Sequence, residues 1–165
     1  MENLLTRTLV ALLDAEVRFV VCGGVACIMQ GVARATHDLD IAVALEAKDL
    51  NGVVRVAREL GLRPRIPEPL DALLDSDRRR AWVEQKHAVV YTLLAPSGAF
   101  AVDIFLRYPV PFTELFAQAT VLEIEGRRVA VSSVEHLIQA KQAVDPPRKQ
   151  DLRDIEDLEE LRRGG

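Results

Sequence analysis

The chain has 165 residues, the length of one ordinary domain, and 49% of them are hydrophobic, enough to bury a real core. No run of about 18 apolar residues occurs, and the start, MENLLTRTLVALLDAE, sets acids within its apolar stripe; the expectation is a cytoplasmic protein with no membrane span and no secretory leader. A net charge of -4 argues against general affinity for nucleic acid, while leaving local basic stretches to serve a specific one.

Taken in chain order, residues 2–15 place Leu5, Leu9, Leu12 and Leu13 at helical spacing and predict an amphipathic helix. VRFVVCGG (17–24) reads as a short buried strand stopped by paired glycines, followed by a short helix over 25–32. The loop ARATH leads into the strand DLDIAVAL, and a helix over 47–60 ends at Gly61. Residues 63–82, with three prolines and the triplet Arg78, Arg79 and Arg80, read as a surface connection whose arginines form a charged helix face. Two apolar runs joined by Pro96-Ser97-Gly98 predict a β-hairpin over 87–107, and after YPVPF a second hairpin turns at Glu125-Gly126. Ser133 is placed to cap a helix, DPPRKQ breaks it, and DLRDIEDLEELRR forms the last one. The order predicts an α/β (α+β) chain, a mixed β-sheet with helices packed against it. One domain over 1–165 is expected, with the sheet core in 1–110 and a short hairpin and helices in 111–165. Cys22 and Cys27 have no second close Cys or His and read as small buried hydrophobes.

Three pieces carry chemistry. Gly23 and Gly24 end a strand and open a helix, where free backbone N–H groups and the helix dipole favour a phosphate. Asp38 and Asp40 are two apart on a strand and so share a face. Asp103 is an isolated acid in an otherwise apolar strand. Brought together, Asp38, Asp40 and Asp103 form a set of hard oxygen ligands suited to Mg²⁺ bound to substrate phosphates.

Each piece also has a plainer reading. Asp103 could be held by a salt bridge to Arg34 or Arg107, and Arg34 and Thr36 could simply hold their loop. Lys141 could be a solvated lysine, and Lys149, Asp151 and Asp154 an ordinary acidic first helical turn. His37, His87 and His136 read as non-catalytic. The joint occurrence of the pieces in this order favours the chemical reading.

The stretches CGGVACIMQGVARATHDLDIAV, VDIFL and SSVEHLIQAKQAVDPPRKQDLRDIEDL resemble the small nucleotidyltransferase-fold proteins of bacteria and archaea. These are relatives of the polymerase-β-type superfamily, grouped with the abortive-infection and toxin–antitoxin nucleotidyltransferases. The resemblance covers most of the chain, least over 62–85. It implies the nucleotidyltransferase fold and an enzyme that moves a nucleoside monophosphate from an NTP to a hydroxyl on RNA, protein or a small molecule, with Mg²⁺ or Mn²⁺ at Asp38, Asp40 and Asp103. It also implies Gly23, Gly24, Arg34, Thr36, Lys141, Lys149 and Asp151 at the nucleotide, Lys141 and Lys149 reaching the triphosphate and Asp151 orienting one of them. A small antitoxin-like protein partner is part of the same implication. Many superfamily members have Gly-Ser where this chain has Gly24-Val25, so backbone N–H groups would meet the phosphate without a hydroxyl. The alternative is a weakly or non-catalytic nucleotide-binding module within a complex; a metal-dependent phosphohydrolase ranks third.

Overall fold

A computed structural model of the chain describes residues 3–164. The first helix, α1 (Leu4–Asp14), begins at Asn3, whose side-chain oxygen accepts the Leu5 N–H, and it buries Leu9 and Leu12. Residue 2, its predicted start, lies outside the described residues. The wholly buried strand β1 (Phe19–Cys22) runs without a break into α2 (Gly23–Gln30). Then come β2 (Asp38–Val43) and α3 (Ala47–Leu60), which stops at Gly61 in the left-handed conformation.

The segment read as a surface connection is mostly exposed but is structured and sends Ala72, Leu73 and Trp82 into the core. It contains a two-residue edge strand, β3 (Arg63–Pro64), a 3₁₀ turn over Leu70–Leu74 and the helix α4 (Ser76–Lys86). Leu73 is fully buried, and Trp82 stacks on Tyr91 with ring centroids 5.4 Å apart. Helical periodicity could not reveal α4, because Trp82 is its single buried residue. Its arginines are charged-surface residues: Arg78 pairs with Glu68 and Arg80 with Asp77, while the Arg79 guanidinium donates to the Leu73 carbonyl.

Strands β4 (Val90–Leu94) and β5 (Ala101–Phe105) form the predicted hairpin. A helix that the sequence reading lacked, α5 (Phe112–Ala117), precedes the second hairpin, β6 (Thr120–Ile124) and β7 (Arg127–Val131). Its turn residues Glu125 and Gly126 both have positive φ, the twist a two-residue hairpin requires. The chain closes with α6 (Val134–Gln142) and α7 (Lys149–Gly164). Ser133 caps α6 by accepting the His136 N–H at 3.1 Å. Replacing Ser133 with Ala is expected to lower stability by about 1 kcal/mol, read by denaturant unfolding.

The seven strands make one mixed sheet in the order β3-β4-β5-β2-β1-β7-β6, with β2 parallel to β5 and β1 parallel to β7. Alternation along the strands sorts residues between its two sides. Val21, Leu39, Ile41, Leu93, Val102 and Ile104 face the main core under the helices. The other side has a smaller cluster, Val20, Cys22, Ala42, Val110 and Leu115, beneath α5. Asp40 and Asp103 stand on that second, less covered side. Among the described residues no helix is long and apolar enough to cross a membrane.

Candidate active site

The sheet register places the acids. Asp40 lies directly opposite Asp103 on the parallel neighbour β5 and opposite Cys22 on β1, and Asp38 lies one strand repeat earlier, exposed at the start of β2. Burial, then the negative charges of Asp103 and Asp38, push the Asp40 carboxyl up to about 7. Asp103 has no arginine partner among the described residues: the Thr92 hydroxyl, on the next strand, donates to it. The salt bridge to Arg34 or Arg107 is therefore not formed. Among the described residues no three Asp, Glu, His or Cys side chains are grouped as a ready-made cage for an ion.

Gly23 opens α2 against this pair. Its φ is +59°, and a Cβ there would overlap the Asp40 carboxylate. The backbone can thus reach the acids only as glycine. At Gly24 a Cβ would lie 3.0 Å from the Thr36 hydroxyl oxygen and 3.1 Å from the Arg34 guanidinium carbon, so the loop before β2 closes tightly over the start of α2. No side chain caps this helix end. Gly23→Ala is expected to cost at least about 1 kcal/mol from the left-handed backbone alone and to displace Asp40; thermal unfolding with and without NTP measures both effects.

A second charge cluster faces the acids across a cleft of about 860 Å³. Two fully buried carboxylates on α7 organise it. Asp154 binds Arg34 Nη1 at 2.6 Å and Lys141 Nζ at 2.7 Å, and accepts from the Gln150 amide at 2.9 Å. Asp151 holds Arg148 through Nε and Nη2 at 2.8 and 2.9 Å, with Lys141 Nζ at 3.7 Å. Burial alone would raise the Asp151 carboxyl, but the hydrogen bonds from Arg148 outweigh it and hold it below its usual range. Lys141 is itself buried, not solvated.

Of the residues singled out from sequence, the fold gathers Gly23, Gly24, Arg34, Thr36, Asp38, Asp40, Asp103, Lys141 and Asp151 around this one cleft. Lys149 is exposed and does not line it; its neighbour Arg148 does, and Asp151 holds Arg148 at 2.8 Å and Lys141 more loosely at 3.7 Å. Helical phase at the start of α7 decides between the two and is invisible in RKQD alone. Thr92 was also missed, although its strand position opposite Asp103 follows once the hairpin register is known. Phe105 and Tyr108, packed edge to face at 4.6 Å, form an apolar wall. Cys22 and Cys27 are fully buried, and burial pushes their thiols up to about 12 and about 11, which fits small hydrophobes. His37 is exposed, His87 caps α4, and His136 lies buried beside Glu114.

With this geometry established, solved structures offer a comparison. The lincosamide antibiotic adenylyltransferase LnuA, in a lincomycin-bound crystal structure, superposes with TM-score 0.60 at 15% identity over 94% of this chain and 96% of its own. The fold is that of the nucleotidyltransferases. ANT(2'')-Ia, crystallised with adenylyl-2''-tobramycin, matches with TM-score 0.56 at 15% identity over 98% of this chain and 94% of its own. An antigenic nucleotidyltransferase-like protein from Paracoccidioides brasiliensis matches with TM-score 0.50 at 17% identity, covering 96% of this chain and 78% of the other. No family model matches the sequence, and no curated protein matches it either. The nucleotidyltransferase fold thus comes with antibiotic adenylyltransferases among its structural neighbours.

Proposed function

We propose that the protein transfers a nucleoside monophosphate from an NTP to a hydroxyl acceptor, releasing pyrophosphate. The observation that carries this reading is the register that sets Asp40 beside Asp103 and against the glycine-opened start of α2. The fit to a hard dication rests on donor chemistry: two carboxylates directly opposite each other on neighbouring strands with a third one strand repeat away, and Asp40 pushed up to about 7 by burial and by the charges of Asp103 and Asp38. Mg²⁺ is commonly held by one or two carboxylates plus substrate phosphates, not by an all-protein cage. Asp38, Asp40 and Asp103 would hold Mg²⁺ or Mn²⁺. When bound, the ion would neutralise phosphate charge and make the acceptor hydroxyl easier to ionise.

The rest is done by the chain itself. The N–H groups at Gly23 and Gly24 meet the phosphates without help from a side-chain hydroxyl. Arg34, Lys141 and Arg148, held in place by Asp151 and Asp154, supply positive charge facing the acids. Asp103, steadied by Thr92, is placed to take the proton of the incoming hydroxyl. RNA, protein and small molecules are the acceptor classes in play, and the toxin-like role beside a small protein partner is the finer form of the proposal, tested by co-purification with that partner.

The experiment is thermal unfolding with each NTP, with and without Mg²⁺, for the wild type and Asp38→Asn/Asp40→Asn. At a hundredfold excess over Kd the ligand contributes about 2.7 kcal/mol, a Tm rise of about 5–10 °C for a chain of this size. A Mg²⁺-dependent rise lost in the double variant supports the reading. The absence of any rise would mean that the isolated chain does not form the nucleotide site, and would favour a module that acts only within a complex.

A further inference from the structure

The sheet side that carries the acids continues past them to the β3 edge. Residues directly opposite one another on neighbouring strands project to the same side, and the register traces two rows. One runs Asp38, Ala101, Leu94, Arg63. The other runs Asp40, Asp103, Thr92, Arg65, the last joined through its N–H to the Thr92 carbonyl. With strands about 4.8 Å apart, the backbone of Arg65 lies about 10 Å from that of Asp103.

This side of β4 is the open one. Tyr91 and Leu93 are buried on the other side, where Trp82 covers Tyr91, while on the acid side Thr92 is buried against Asp103 but Val90 and Leu94 flanking it are only half-buried. Arg63 and Arg65 are exposed, and neither guanidinium has an ion-pair or hydrogen-bond partner among the described residues. Of the cleft's cations, Arg34, Lys141 and Arg148 are each neutralised by Asp151 or Asp154, whereas Arg107, which also lines the cleft, is exposed and has no such partner among the described residues. Two uncompensated guanidiniums, at the ends of rows that lead to the acids of a chain with net charge -4, match successive phosphates in geometry and sign.

We propose that Arg63 and Arg65 form a phosphate-binding track for a single-stranded nucleic acid whose terminal hydroxyl is the acceptor. This rests on the transferase reading above and names its substrate class. The hydroxyl oxygen of the strand end forms a bond to the α-phosphorus of the NTP, and the bond from that phosphorus to the β-bridging oxygen breaks. Pyrophosphate leaves with the bonding pair, and the hydroxyl proton passes to the Asp103 carboxylate. The track contacts backbone, so binding is independent of base sequence.

The test uses fluorescein-labelled single-stranded RNA and DNA oligonucleotides titrated at several salt concentrations. The proteins are wild type, Arg63→Ala/Arg65→Ala, and Arg55→Ala, which removes an exposed arginine from α3 on the far side of the sheet. The double variant is expected to flatten the salt dependence of log K by about 1.4, since each single-strand phosphate contact contributes about 0.7. Arg55→Ala should match the wild type, and the Mg²⁺–NTP thermal shift should be unchanged in all three. With α-labelled NTP, label should enter strands ending in a free 3′-hydroxyl and not strands ending in a 3′-phosphate; RNA and DNA arms tell which sugar is accepted. The track is overturned if the double variant binds like Arg55→Ala, or if wild type binds neither oligonucleotide while still showing the NTP shift. Arginine-dependent binding without any NTP shift would keep the track and overturn the transferase.

Discussion

Asp40→Asn is expected to cut nucleotidyl transfer by about a hundredfold to a thousandfold and, at the same time, to stabilise the metal-free protein at alkaline pH. The first effect follows from removing a charge at the centre of the site, where a single preorganised electrostatic contact is commonly worth two to three orders of magnitude, roughly. The second follows from linkage. Asp40 is raised to about 7 in the folded chain, above its ordinary value of 3.8, by burial and by Asp103 and Asp38. Between those values the folded state binds more protons than the unfolded one, so stability falls as pH rises from near 4 through 7. The asparagine cannot ionise and escapes that loss. The two proteins should unfold alike below pH 4 and diverge above it, by up to about 4 kcal/mol once Asp40 is ionised. A denaturant series across pH with chelator present measures the divergence, and parallel pH profiles would refute it. Mg²⁺ should narrow the gap by stabilising the wild type alone.

Lys141→Met is the second large effect. It leaves Asp154, fully buried, with Arg34 and the Gln150 amide, and removes the second cation from Asp151. Leaving a buried charge unpaired costs about 3–5 kcal/mol; Asp154 keeps Arg34 and the Gln150 amide, so the loss falls at the low end, about 3 kcal/mol. A Tm fall of about 6–12 °C follows for a chain of this size. In Lys141→Met/Asp154→Leu the carboxylate short of a cation is gone and an apolar pair fills the space, while Arg34 loses its partner but keeps some contact with water, so part of the stability should return. Transfer should not, because the charge facing the phosphates has gone with it. Recovery of activity along with stability would show that Lys141 only holds helices together.

Where the sequence was most legible, one residue's environment determined one structural outcome. Gly61 could end α3 because a left-handed stop needs no distant partner, and Asp38 and Asp40 could be set on one face because strand alternation is local. The mixed sheet followed from the order of such elements, though its edge strand β3, inside a segment read as a surface connection, did not. What stayed hidden depends on distant contacts. Trp82 is core because Tyr91 lies beneath it, and nothing in SDRRRAWVEQK announces that ring. Lys149 and Arg148 are chemically alike and adjacent, and only the docking of α7 against α6 selects Arg148 for the cleft. Asp154 looked like a helix-turn acid, yet it is the hub joining Arg34 and Lys141.

That hub has a consequence for the order in which the molecule is made. Arg34 and Asp154 are separated by 120 positions, so at 5–20 residues per second, the usual pace of synthesis, about 6–24 s pass between their additions. Asp38, Asp40 and Asp103 are all added after Arg34, so only in the last part of that interval do the acids and glycines exist together, while the cations opposite them have nothing to fix their direction. Only when α7 docks do both halves of the cleft face each other. A chain stalled or cleaved before that helix would carry the carboxylates without the organised positive charge, and so would be unable to act on a nucleotide until it was finished.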